Sequence, residues 1–193
     1  MERKRIIVGA AGASGFPVLV KALELIREGG YESYLILSDN AWVTAENEIS
    51  LSKGDLLSMA DHVLDNHDMA AVSASGSFRN EGMLIVPCSM KTVAGIASGY
   101  SDNLLLRSAD VALKEQRKLV LGVRECPLSP VHLRNLSYLA SDCRASIMPL
   151  VLTFYNHASS VDDMAYHMAA RLVEPFGIEA REYRRWNGLQ ATT

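Results

Sequence analysis

The chain has 193 residues, 49% of them hydrophobic, and a formal charge of -3 from 19 basic and 22 acidic side chains. That length suits one domain able to bury a core without disulfides or structural metals. The charge balance excludes the broad basic field that would hold a polyanion, so nucleic acid is not an expected partner, and the high apolar content favours burial of further surface in a homo-oligomer.

Cys88, Cys126 and Cys143 are odd in number and widely spaced, without a Cys-x-x-Cys pair. Reduced thiols in a cytoplasmic protein are the simplest account. No apolar run approaches the roughly 20 residues of a spanning helix, and Ile6-Ile7-Val8 is too short for a signal-peptide core, so no membrane association is expected.

In chain order, Arg5-Ile6-Ile7-Val8 is a β-branched run stopped by Gly9, and residues 17–27 carry Val18, Leu19, Ala22, Leu23, Leu25 and Ile26 at helical spacing. This predicts a strand, a glycine turn and a helix. Pro17 suits the first helical turn, and Gly29-Gly30 offer a left-handed stop. Tyr34-Leu35-Ile36-Leu37 is a second strand, after which Ser38-Asp39-Asn40 provide side-chain oxygens to cap a helix to about Glu48. Residues 51–64 read as a helix with a short strand near its end. Met83-Leu84-Ile85-Val86-Pro87 is a third strand, followed by a helix from Ser89 that stops at Gly99, and Asp102 is placed to cap a helix over 103–115. Leu119-Val120-Leu121-Gly122-Val123 is a buried strand; a helix over 130–140, a strand over 145–148 and a helix over 161–176 complete the pattern. Strands that are continuously apolar and alternate with helices predict a parallel sheet covered on both faces, a three-layer Rossmann-like α/β fold. Residues 1–186 read as one domain and 187–193 as a loose tail.

Ligands of open parallel sheets bind beyond the carboxyl ends of the strands, so the residues after each strand carry the chemistry. The first junction, Gly9-Ala10-Ala11-Gly12-Ala13-Ser14-Gly15, is G-x-x-G-x-x-G. It matches neither the dinucleotide fingerprint nor the P-loop, which disfavours NAD and ATP. Its small residues let backbone amides and a helix amino terminus approach an anion or a flat ring; a tight turn that binds nothing is the plain alternative. Ser89, Lys91 and Thr92 open another helix and suit a phosphate, or simple N-capping by Ser89. Arg124-Glu125 follows a strand directly, either facing the ligand crevice or forming a surface ion pair. Lys114 lies in a basic cluster typical of a solvated helix end. The five histidines lack the i, i+4 spacing of a metal motif, and Asp162-Asp163 reads as a helix start, so no metal is expected.

Seven ordered motifs cover nearly the whole chain: G-A-S-G at 12–15, S-G-S-F at 75–78, P-C-S-M-K-T at 87–92, A-D-V-A-L-K-E at 109–115, R-E-C-P-L at 124–128, H-L-R-N at 132–135 and F-Y-N-H at 154–157. Together they resemble the flavin prenyltransferase family, in the branch found beside phenolic-acid and hydroxyarylic-acid decarboxylases. The resemblance implies metal-free joining of the dimethylallyl group of dimethylallyl phosphate to N5 and C6 of reduced FMN. The product, prenylated FMN, would go to a UbiD-type decarboxylase, and a homo-oligomer, often a dodecamer, is implied. By resemblance Gly12, Ala13, Ser14, Ser38, Ser89, Met90, Lys91, Thr92 and Arg124 bind the flavin, and Lys114, Arg124, Tyr155 and Arg171 bind the prenyl phosphate. Ser14 and Glu48 would relay the N5 proton, with Glu125 and Lys114 assisting at the phosphate, where cations stabilise the charge of the leaving group.

Phe16-Pro17 and Leu150-Val151-Leu152-Thr153 depart from the family pattern, and 65–71 holds no aromatic residue to face an allylic cation. Monophosphate and diphosphate donors are both compatible. Two other readings share the fold. One is an FMN-dependent cysteine decarboxylase, whose histidine and asparagine motif has no counterpart here. The other is a non-catalytic flavin-holding subunit, against which the retained Lys114, Arg124, Tyr155 and Arg171 argue.

Overall fold

A computed structural model describes residues 3–188 of the chain. The tail expected over 187–193 lies, from 189 onward, outside the described residues. Six strands form one all-parallel sheet in the order β3-β2-β1-β4-β5-β6, built from β1 (Arg5–Ala10), β2 (Glu32–Leu37), β3 (His62–Leu64), β4 (Gly82–Cys88), β5 (Lys118–Val123) and β6 (Ser146–Pro149).

Successive side chains of a strand point to opposite faces, and here both faces are apolar. Ile6 and Val8 of β1, Leu35 of β2, Leu84 and Val86 of β4 and Val120 of β5 pack into one layer with α1 (Phe16–Glu28) and α7 (Val161–Val173). Their sequence neighbours Ile7, Ile36, Met83, Ile85, Leu119 and Leu121 pack into the other, with α4 (Met90–Ser98), α5 (Leu104–Lys114) and Leu139 of α6 (Pro130–Ser141). This two-sided burial is why the strands read as unbroken hydrophobic runs. Phe16, Leu19, Leu23 and Ile26 form the buried stripe of α1, each side chain contributing about 1.5–3 kcal/mol by leaving water.

Between β2 and β3 the chain forms α2 (Ala41–Glu48) and α3 (Lys53–Ser58), the latter opened by a reciprocal Ser52–Asp55 capping box. Crossovers from β1 run one way along the sheet and those from β4 the other. The crevice they leave sits past Ala10 and Cys88, the carboxyl ends of adjacent strands, where such folds take ligands.

Local chemistry differs from the sequence expectation at several helix ends. Gly29 is right-handed and the left-handed stop of α1 is Gly30, at φ 75°. Among the described residues the side chains of Ser38, Asp39 and Asn40 cap no helix; Asp39 instead receives Asn66 Nδ2 at 3.4 Å and pairs with His67. Asn103, not Asp102, caps α5 by accepting the Leu106 amide. The last helix ends at Val173 and continues as a single 3-10 turn over Glu174–Phe176. Its cap is Ser160, while Asp162 and Asp163 occupy the first turn and pair with Lys21 and Arg184.

Candidate active site

The glycine bend is built by its surroundings. Gly15 sits at φ 134°, ψ 19°, a conformation closed to other L-residues without strain, and a Cβ there would meet Leu150 Cδ1 at 2.7 Å. A Cβ on Gly12 would lie 3.0 Å from the Asn40 carbonyl oxygen, so the bend and the turn after β2 are packed face to face.

The start of α1 is already occupied. Glu48 Oε2, from the end of α2, accepts the amides of Gly15 at 2.8 Å and Phe16 at 2.9 Å. Pro17 has no N–H, and the Val18 amide bonds the Gly15 carbonyl. A carboxylate therefore fills the position that the free amides and dipole of a helix amino terminus offer to an anion. Of the amides expected to approach an anion or a flat ring, those of Gly15 and Phe16 are taken by Glu48, while those of Gly12 and Ser14, earlier in the bend, have no protein partner among the described residues.

The start of α4 is open by comparison. Ser89 caps it, its Oγ accepting the Thr92 amide at 3.4 Å and lying 3.1 Å from Thr92 Oγ1. Among the described residues the amides of Met90 and Lys91 meet no protein acceptor. Ala11, Gly12, Ser38, Asp39, Asn40, Asn66, Ser89, Lys91, Thr92 and Asn103 line one polar cavity of about 200 Å³. The volume is small for a whole mononucleotide but suits its phosphate and polyol end. Amides at a helix start, hydroxyls from Ser38, Ser89 and Thr92 and the Lys91 ammonium are a donor set for an anion, so the residues fit FMN. Cys88, at the end of β4, takes no part: it is buried, and burial pushes its thiol far above the ordinary range.

Asn66 and Asn103 are lining residues that sequence reasoning missed. Asn66 is nearly fully buried, and its Oδ1 and carbonyl accept the Leu105 and Leu104 amides. It thereby satisfies the start of α5 and fixes the far wall of the cavity.

A second cavity of about 300 Å³ lies past the end of β6, lined chiefly by apolar side chains, among them Met148, Val151, Leu152 and Met168, with Tyr155, His167 and Arg171. Tyr155 and Arg171 thus line one volume. Leu150 connects this region to the bend through its contact with Gly15. Arg171 pairs with Glu174, which also receives Arg185. Arg124 follows β5, half exposed, its amide bonded to the Cys88 carbonyl and its guanidinium 3.9 Å from Glu125.

Lys114 is elsewhere. It ends α5, just ahead of Lys118, the first residue of β5, at the amino end of the sheet. The six-residue strand β5 separates it from the crevice, roughly 17 Å at about 3.3 Å per residue. There its ammonium pairs with Glu115 at 2.5 Å and holds that carboxyl below the usual carboxylate range. A Cβ on Gly76 would strike Glu115 and lie 2.8 Å from Lys114 Nζ, while Arg117 bonds the Gly76 and Phe78 carbonyls. The S-G-S-F motif therefore belongs to Lys114 rather than to the crevice.

Comparison with known proteins adds to this geometry. A family profile described as Flavoprotein matches residues 1–170. A probable UbiX-like flavin prenyltransferase of Escherichia coli is 46% identical over 186 residues, covering 96% of this chain and 94% of its own. The crystal structure of AnUbiX in complex with FMN and dimethylallyl pyrophosphate superposes with a TM-score of 0.95 at 41% identity, covering 98% of this chain and 100% of that one. A dodecameric FMN-dependent UbiX-like decarboxylase from Escherichia coli O157:H7 superposes at 0.92 with 46% identity, covering 95% and 100%.

Proposed function

The chain belongs to the flavin prenyltransferases of the flavoprotein family, and from that premise we propose that it joins the dimethylallyl group of dimethylallyl phosphate to N5 and C6 of reduced FMN and passes the prenylated FMN to a UbiD-type aromatic acid decarboxylase. The observation that carries this reading is the pair of cavities at the carboxyl end of the sheet, one polar and one apolar with Tyr155 and Arg171 in its wall. Reduced FMN supplies the nucleophilic nitrogen and carbon; no metal is required.

Gly12, Ala13, Ser14, Ser38, Ser89, Met90, Lys91, Thr92 and Arg124 would hold the flavin through amides, hydroxyls and two cations. Tyr155, Arg171 and Arg124 would bind the phosphate of the donor and stabilise its charge as the allylic C–O bond opens. Ser14 and Glu48 would take the proton from N5. Glu48 suits that role because Oε2 is already held by two amides while its second oxygen meets no donor among the described residues. Glu125, beside Arg124, would protonate the departing phosphate.

Lys114 would serve a site on another subunit, since its own crevice lies across the sheet. A homo-oligomer is consistent with the exposure of Val151, Leu152 and Phe154, which flank Tyr155, and a relative of this chain is dodecameric. Residues 1–186 would act as one FMN-binding unit. The free thiols of Cys88, Cys126 and Cys143 support a cytoplasmic setting, and no helix among the described residues is long and apolar enough to cross a membrane.

The test is anaerobic incubation with reduced FMN and either dimethylallyl phosphate or the diphosphate, followed by mass spectrometry of the released flavin. A flavin heavier by one prenyl unit, with inorganic phosphate or pyrophosphate released in equal amount, is expected; unmodified FMN with both donors defeats the proposal.

A further inference from the structure

Arg184 is bonded through three of its nitrogens to three different groups. Its backbone amide donates to Nε2 of His167 at 3.2 Å, Nη2 to Asp163 Oδ2 at 2.7 Å, and Nε to the main-chain oxygen of Asn156 at 2.6 Å. His167 is buried and lies one turn from Asp163 on α7; its Nδ1 is 2.9 Å from the Asp163 carbonyl. Because the Arg184 amide must donate, Nε2 accepts and the ring proton sits on Nδ1, facing that carbonyl. Asp163 also accepts the Ser159 amide at 2.9 Å. The C-terminal segment is in this way fastened to α7 at both a backbone and a side-chain position.

The third bond reaches the turn that carries Tyr155. Asn156 closes that turn on itself: its buried side chain approaches Thr153 Oγ1 at 3.3 Å and accepts the Ala158 amide at 3.3 Å. Its main-chain oxygen accepts from Arg184. Arg171 projects from a regular helix, whereas Tyr155 rides on a segment without helix or strand. Both line one cavity, as does His167. Tyr155 meets the Trp186 ring edge-on, and the turn that carries it is tied to α7 through Arg184.

We propose that Arg184 is a positioning residue for the donor phosphate: its guanidinium bridges Asn156 and Asp163 so that Tyr155 stands opposite Arg171. This rests on the reading above, in which those two residues bind the phosphate. Truncating the Arg184 side chain removes its bonds to Asn156 and Asp163 but leaves its backbone bond to His167 in place, so the C-terminal segment keeps one tie to α7 while the turn loses its own.

Arg184→Ala and Arg184→Lys, each also made in a Trp42→Phe background that leaves Trp186 as the one tryptophan, separate the possibilities. R184A is expected to raise KM for dimethylallyl phosphate about tenfold or more, as loss of a charged hydrogen bond implies, with the FMN dissociation constant unchanged within about twofold. Millimolar guanidinium should restore part of the KM. R184K, with one ammonium that cannot span both acceptors, should fall between. In the single-tryptophan protein R184A should shift the emission of Trp186, whose ring contacts Tyr155 edge-on at 5.7 Å between centroids. An unchanged KM in R184A beside an active wild type overturns the proposal. So does a KM rise matched by equal loss of FMN affinity without guanidinium rescue, which is general destabilisation, and so does an unmoved Trp186 spectrum. If the wild type makes no prenylated flavin, the functional reading fails on its own, and the Trp186 emission still decides whether Arg184 holds the turn.

Discussion

Glu48 Oε2 lies 2.8 Å from the amide nitrogen of Gly15, joining the last turn of α2 to the residue before α1. One carboxylate thus caps a helix 33 residues away while sitting beside Ser14. The two duties separate by substitution. Glu48→Gln keeps an oxygen to accept the amides, so FMN should stay bound while prenyl transfer slows about 100-fold for want of a base. Glu48→Ala loses the cap as well and should cost about 1–2 kcal/mol. Flavin fluorescence, single-turnover rates and thermal unfolding of both variants check this; an E48Q enzyme at full rate removes Glu48 from proton transfer.

Gly15→Ala should destabilise the chain by about 1–3 kcal/mol and abolish FMN binding. The contact with Leu150 Cδ1 can relax, because it is the tip of a flexible side chain, but the φ of 134° cannot. Denaturant melts and flavin titration measure both effects, and a G15A protein with native stability would show the bend to be less constrained than its torsions imply.

Thiol reactivity should follow burial. Cys126 is exposed, Cys143 half-buried and Cys88 buried with its thiol pushed up by desolvation. Titration with an aromatic disulfide should find one fast thiol, lost in Cys126→Ser, with Cys88 reacting only on unfolding. A fast Cys88 would mean that the end of β4 opens in solution.

Lys114→Ala and Arg171→Ala should each be inactive, yet co-expression should regain about a quarter of wild-type activity, the chance that a site built from two subunits draws both intact residues. Complementation fails if Lys114 serves its own crevice. Analytical separation of the mixed oligomer and prenylated-flavin yield give the answer.

Acid should weaken the chain partly through Glu32. Its carboxyl is held below the usual range, chiefly by the hydrogen bond from His62 at 2.7 Å and further by Arg5 at 3.0 Å, against the cost of its partial burial. A depressed carboxyl stabilises fully above its unfolded value, about 4.3, and loses that contribution as pH falls through the lower folded value. Glu32→Gln should therefore melt earlier at pH 7 and lose less on going from pH 5 to pH 3, by calorimetry across that window. Parallel melting curves for the two proteins would mean the ion pair is energetically silent.

The sheet was legible because each strand is buried on both faces, so Met83, Leu84, Ile85 and Val86 had to be apolar in succession. The bend and Ser89 were legible for a related reason: small and hydroxyl residues directly after a strand have few other uses there. What stayed hidden depends on contacts between distant segments. Nothing near Glu48 signals that it will cap Gly15 and Phe16. Asn66 and Asn103 look like ordinary turn residues until α5 is seen to start against the cavity. Lys114 carries a motif but no direction, and only the run of α5 toward the amino end of the sheet takes it away from Ser14. Arg184 sits in a run of cations whose partners, Asn156 and Asp163, come together through the path of α7.

The carboxylate at the start of α1 also bears on what the fold refuses. In Rossmann-type folds that grip dinucleotides, the pyrophosphate rests on the mouth of the first helix. Here that mouth is plugged from within by Glu48, and a bridging pyrophosphate arriving there would confront a negative charge in place of free amides. With the start of α4 left open to an anion, the scaffold moves that seat from the first helix to the fourth and turns away cofactors whose pyrophosphate must rest on the first.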